Sequence, residues 1–456
     1  MRSGTGRVGR DLTNGSVFKL LITFAIPIML TGMIQQLYSI VDLMIIGQYV
    51  GSVGTVAVST GGELADFVTP VASAFAMAGQ IYIAQLAGAS EHDKLKKAAG
   101  TLITMMLAMS LFFAVFTFLF RIQILHMLNC PEEAFSEATS YMLITAIGMP
   151  FIFGYNAVCG LLRGMGESQR PLLFVAVAAT VNVVLDILLV AVFHMGAAGT
   201  AIATVCSQMG SFLAAYLFMY HRREQFDFKL SLSYFTVDRE SMRIILTLGI
   251  PQLVRSIAVH GSMIWVKANI NSYGLIYSST YSIGNKIEKF VLLFSQGVTS
   301  ASGAMIGQNL GAKKQDRVRK TLLTTLCVTL SIAFIGICLF LTIPRQLYLL
   351  FTIDETVADY GITFLRIMCV GCVVTTVAGT FKALATGSGA VKLCFMMGIM
   401  DGVCRILVSL LFLYIFNQGP NSFYWGAALC EFIPFLMCFT YFISGKWKTQ
   451  KLLSER

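Results

Sequence analysis

Apolar residues dominate this chain in long runs that short polar segments interrupt. Twelve such runs fall near residues 16–46, 53–86, 98–120, 137–162, 172–194, 197–220, 243–270, 278–306, 321–343, 357–384, 391–416 and 423–444. About 20 apolar residues in a helix cross a bilayer core of about 30 Å. The pattern therefore predicts an all-α integral membrane protein with twelve transmembrane helices and no soluble domain.

Few polar residues interrupt these runs, and they fall at helical spacing. AVAATVNVVLDILLVAV, from Ala176 to Val192, is apolar except for Thr180, Asn182 and Asp186. Asn182 and Asp186 stand four apart and share a helix face. A carboxylate in mid-membrane costs roughly 2.5–3.5 kcal/mol on insertion scales, so it needs a partner or a wet cavity. In QQLYSIVDLMIIG of the first run, Gln35, Tyr38 and Asp42 form a second polar stripe. Thr200 and Thr204 in GTAIATVCSQ form a third. Such a set can lock neighbouring helices through hydrogen bonds, or it can hold a cation. Two adjacent carboxyls can share a proton, and with Asn and Thr oxygens they can ligate Na⁺. The matching stripes favour the cation site.

The chain also repeats itself. AQLAGASEHDKLKK at Ala84–Lys97 aligns with GQNLGAKKQDRVRK at Gly307–Lys320. FAIPIML at Phe24–Leu30 aligns with LGIPQLV at Leu248–Val254, and LLRGMGES at Leu161–Ser168 with ALATGSGA at Ala383–Ala390. The nearly constant offset predicts two pseudo-symmetric six-helix lobes in parallel repeat. The expected boundaries are 1–220, a polar and basic cytoplasmic linker at 221–243, and 244–456. Pro27 and Pro251 occupy matched places in the first helix of each lobe. They read equally as tolerated membrane prolines or as a shared bend used in gating.

Composition sharpens this picture. Hydrophobic residues make up 56% of the 456 and charged residues 12%, against about 25% charged in a soluble domain. The net charge of +10 would suit nucleic acid, but its placement excludes that reading. Lys94, Lys96 and Lys97, Arg163 and Arg170, Lys313 to Lys320, and Lys382 and Lys392 all fall on one side, with both termini. Only Arg121 and Arg345 fall in loops on the other. This bias predicts cytoplasmic N- and C-termini. The first run is too long for a cleavable signal, and the cysteines show no metal or disulfide pattern. The 23 Met and 34 Phe include lipid-facing filler, and some suit a cavity that repacks around varied ligands.

At these residues the chain resembles the multidrug and toxic compound extrusion (MATE) family. Pro27 with QQLYSIVDLMIIG, the AQLAG and GQNLGA loops, LLRGMGESQRP and NVVLD carry the resemblance along nearly the whole length. The first-helix motif and NVVLD are similar to the DinF- and MepA-like branch. The resemblance implies a MATE/MOP-type fold and a monomeric, multi-pass plasma-membrane antiporter that exports organic cations against H⁺ or Na⁺. It implies no other cofactor, no nucleic-acid partner, contact with membrane lipids, and no enzymatic activity. It also implies an ion site of Asp42, Tyr38, Asn182, Asp186 and Thr204, with Na⁺, if used, at Asp186, Asn182 and Thr204. Gln35, Asn156 and Thr200 would line the substrate cavity. The seventh and tenth helices lack the acids of the NorM-like branch, so a cation site of that kind in the second lobe is not expected.

Other charges within the runs read differently. Asp401 and Arg405, four apart, read as a structural pair. Glu288 reads as paired with Lys286 or Lys289, and His260 as a satisfied core histidine. Glu431 has no obvious partner, and Arg255 is left without a role. The competing transport reading is a flippase for lipid-linked saccharides, whose cavity needs cations such as Arg255, Lys286, Lys289 and Lys382. No motif of a prenyl or glycosyl transferase is present.

Overall fold

The computed structural model describes residues 11–128, 130–221, 237–352 and 354–449. In hydrocarbon every backbone N–H and C=O must be satisfied within its own segment, and the long apolar runs meet this demand as helices. They are α1 (Val17–Tyr49), α2 (Gly51–Ala89), α3 (His92–Met127), α4 (Glu132–Gly164), α5 (Gln169–Asp186) and α6 (Gly196–His221). Then come α7 (Arg239–Asn271), α8 (Leu275–Gly311), α9 (Gln315–Thr342), α10 (Glu355–Gly387) and α11 (Val391–Tyr414). The last span is broken into α12 (Asn421–Leu429) and α13 (Phe432–Ile443). Among the described residues, twelve spans are thus long and apolar enough to cross a membrane, and no strand occurs.

The helices outrun the apolar windows because polar residues build their ends. The third, expected over 98–120, starts at His92, and just before it Glu91 pairs with Lys94 at 2.9 Å. Only Val50 separates α1 from α2.

The chain divides into two units. The first contains Leu30–Gly249; the second joins Leu12–Met29 to the chain from Ile250 onward. Both divisions fall inside helices, within three residues of Pro27 and Pro251. Residues 222–236 of the expected linker lie outside the described residues. Its last part, Arg239–Arg243, is already the start of α7.

In the first unit α2 packs tightly on α4 through glycines. A Cβ on Gly160 would stand 2.5 Å from the Ala76 carbonyl oxygen, and one on Gly164 2.8 Å from that of Gln80. This small-residue pair, four apart, lets two backbones approach closely, as membrane helices favour. The same device joins α10 to α8 in the second unit, where a Cβ on Gly387 would meet the Gly303 carbonyl oxygen at 2.7 Å. Aromatic residues fill the second unit's core, with Tyr348, Phe364 and Tyr424 buried together. Tyr348 Oη donates to the Thr280 carbonyl at 2.9 Å.

The repeated polar loops hold helix beginnings. In the second unit, Gln308 Oε1 accepts from Leu12 N at 3.1 Å, and Lys314 Nζ donates to the Thr13 carbonyl at 3.0 Å. Arg317 Nη1 donates to the Gly15 carbonyl at 2.8 Å. In the first unit the bond comes from α3, just past the loop, where Thr101 Oγ1 accepts from Asp238 N at 3.0 Å. The Asp238 carboxylate accepts from Ser241 N at 2.8 Å and so caps α7. That backbone hydrogen bond holds the Asp238 carboxyl below the usual carboxylate range, with help from the Ser241 side chain and the Lys97 charge.

Candidate functional site

Three helices of the first unit bring the predicted stripes together. α1 supplies Gln35, Tyr38 and Asp42, α5 supplies Asn182 and Asp186, and α6 supplies the Thr200 to Ser211 face. Asn182 is 1% exposed and Asp186 0%. The Asp42 and Asp186 carboxyls lie within hydrogen-bonding reach of each other. Neither oxygen of Asp186, nor Oδ1 of Asp42, has a hydrogen-bond donor among the described residues. Both polar atoms of the Asn182 amide and the Thr200 hydroxyl are likewise buried and unpartnered there. Two facing carboxyls can bond only if a proton or a cation lies between them. Buried polar groups left open in this way call for a proton, an ordered water or an ion beside them.

The backbone changes at the same point. Directly after Asp186 the α-helix widens into a π-helix, Ile187–Val192. Such wide turns are frequent at functional positions.

One turn away from the acids, a small cavity of about 10 Å³, room for about one water, lies among α1, α4, α5 and α6. Gln35, Tyr38 and Asn182 line it, together with Tyr155, Ser207, Gln208 and Ser211. The Tyr38 hydroxyl lies near the Gln208 side chain and in the field of Asp42. Tyr155 Oη donates to the Pro171 carbonyl at 3.3 Å, and Ser211 Oγ to that of Phe174 at 3.1 Å. The last two bonds tie α4 and α6 to α5.

Asn156, Thr200 and Thr204 do not line this cavity. Asn156 donates its amide to the Ile152 carbonyl of its own helix at 2.8 Å, and its neighbour Tyr155 takes the lining position. Thr204 is partly buried. Sequence reasoning passed over Gln208, although it continues the Thr200–Thr204 stripe by one more turn.

In the second unit, the expected Asp401–Arg405 pair is present, with Nη2 3.4 Å from Oδ1. Lys382 corrects its reading as a loop cation. It lies inside α10, 6% exposed, with Nζ 2.8 Å from Glu431 Oε1. Glu431 therefore has a partner that its local sequence did not reveal. Glu288 stands in the field of Arg405 as well as Lys289. His260 is exposed, not in the core, and a ring nitrogen meets the Ser256 carbonyl of its own helix at 2.7 Å.

The comparisons agree with this architecture. The MatE family model matches residues 27–188 and 251–415, one segment in each repeat. The probable multidrug resistance protein YpnP of Bacillus subtilis is 25% identical over 98% of this chain and 99% of its own. The multidrug export protein MepA of Staphylococcus saprophyticus is 22% identical over 92% of both chains. A solved MATE structure in the straight conformation superposes with a TM-score of 0.89 at 18% identity, covering 98% of each chain. Twelve spans, an internal repeat and a family match over well over half of the sequence lead to one assignment: this chain is a membrane transporter of the MATE family.

Proposed function

We propose that this protein is a secondary antiporter that exports small organic compounds, mostly cations, in exchange for inward H⁺ or Na⁺. The observation that carries the reading is the facing Asp42–Asp186 pair, in which neither oxygen of the buried Asp186, nor Oδ1 of the half-buried Asp42, has a donor among the described residues. The coupling ion occupies the space between these carboxyls. Asn182 supplies a neutral oxygen one turn from Asp186, and Tyr38 and Gln35 extend the polar face into the cavity. Thr204 and Thr200 join from α6 and Asn156 from α4 as the pocket reshapes around cargo. Cargo and ion compete for the same negative charge, so occupation by one releases the other. That differential binding ties export to ion entry. The names of the relatives, a multidrug resistance protein and a multidrug export protein, support cargo of this class. The setting is the plasma membrane, with a monomer whose termini face the cytoplasm.

The flippase alternative loses one cation. Lys382, one of its four candidate cations, is held between acids.

Proteoliposomes loaded with ethidium and given either a pH or a Na⁺ gradient alone test the proposal. One gradient drives dye movement with the parent protein, and Asp186→Asn, still monodisperse, loses it. Full gradient-driven transport by that variant overturns the assignment of the ion site. Binding of a polyprenyl pyrophosphate without dye transport overturns the choice of cargo.

A further inference from the structure

The second unit contains a buried ionic group that the transport reading does not use. Lys382 Nζ lies 2.8 Å from Glu431 Oε1 and 3.6 Å from Asp401 Oδ2. The other Asp401 oxygen, Oδ1, is 3.4 Å from Arg405 Nη2. The side chains of Lys382, Asp401, Arg405 and Glu431 are 8%, 3%, 7% and 14% exposed.

Three features distinguish this group from a surface ion pair. Glu431 sits at the break between α12 and α13, in the middle of a membrane span. Broken membrane helices are where transporters hold ions, since the carbonyl end of one half favours a cation and the N–H end of the other a carboxylate. The Lys382 ammonium makes no aligned hydrogen bond despite its short ionic contacts. It acts there as a point charge, as a metal cation would. Glu431 Oε2 is buried with no donor among the described residues, so the site has an oxygen to spare. Around the group, Arg255 on α7 adds to the positive field at Asp401. Glu288 and Lys289 on α8 lie on the Arg405 and Glu431 side.

We propose that this is a monovalent-cation site filled by the chain itself, with Lys382 as a tethered cation bridging Asp401 and Glu431. Removing the ammonium opens the site to free Na⁺. The second unit thus keeps its cation through every cycle, whereas the Asp42–Asp186 pair of the first unit has no such tether among the described residues. The proposal does not rest on the identity of the coupling ion or cargo.

The test is equilibrium binding of radiolabelled Na⁺ to the full-length protein in detergent, read as ions bound per chain relative to the parent. Lys382→Ala binds one more than the parent, whatever number the parent binds. Lys382→Arg matches the parent, and Lys382→Ala combined with Glu431→Gln loses the extra ion. Replacing choline chloride with NaCl at equal ionic strength also raises the unfolding midpoint of Lys382→Ala more than that of the parent. Equal stoichiometry in folded Lys382→Ala overturns the proposal. Where Lys382→Ala alone does not give monodisperse protein, recovery by Glu431→Gln in the same chain supports it, and failure to recover overturns it. Because the readout is a difference from the parent, it is independent of how the first-unit site behaves.

Discussion

At the scale of single residues, the first unit stands out for what its polar atoms lack. An unpartnered buried hydroxyl costs about 1–3 kcal/mol, and Thr200 Oγ1 is one. Thr200→Val removes that cost. Its unfolding midpoint in detergent should equal or exceed the parent's, with a gain of up to about 1 kcal/mol. A clear fall would mean that the hydroxyl has a partner in the resting protein. The acids themselves were legible in the sequence, because a carboxylate within an apolar run is costly enough to signal a purpose. Lys382 was not. Its segment, TFKALATG, is small and mixed in polarity, and a helix end cannot be told from a loop there without the acids that face it. Those acids, Asp401 and Glu431, lie on other elements, 19 and 49 residues further along the chain.

Elements were easier to read than their joints. Periodicity and length placed all twelve spans, since lipid leaves the backbone few alternatives. The π-helix after Asp186 left no trace in hydropathy, because it is a register change within apolar sequence, and the break at Glu431 showed only as a single unpaired acid. The α2–α4 contact depends on Gly160, whose Cβ would press on backbone and not on a side chain that could turn away. Gly160→Val should therefore destabilise the protein by about 1–3 kcal/mol, measured as a lower unfolding midpoint. The cap of α7 gives a pH-dependent counterpart. The folded-state Asp238 carboxyl lies below its unfolded value, which is near 3.9, roughly the model-peptide figure. Its contribution is complete above that pH and disappears as pH falls through the lower folded value. Hydrogen exchange at the Ser241 and Met242 amides should accelerate between about pH 5 and pH 2 beyond its intrinsic rate. Asp238→Asn, which caps without titrating, should show no such extra acceleration.

On the scale of the whole molecule, the sequence repeat and the structural division differ in an informative way. The repeat places the boundary in the polar segment at 221–243. By packing, Leu12–Met29 belongs with the second half of the chain, and the stretch of α7 up to Gly249 with the first. Each half thus lends the opening turns of its first helix to the other. Pattern reasoning missed this exchange because hydropathy reports that a segment is buried, but not by whom. Prolines stand close to both crossing points, where a missing backbone hydrogen bond makes bending cheapest.

That exchange has a consequence for dissection. Severing the polypeptide in the 222–236 stretch does not release two self-sufficient modules, since each fragment carries away the other's opening strut. Co-expressed fragments should copurify through a tag on either one, whereas each expressed by itself should aggregate or be degraded. Stable, monodisperse recovery of a lone fragment would show that the borrowed turns are dispensable. The two halves of this transporter are thus braided by their own backbone, and a gene-splitting experiment can read the braid directly.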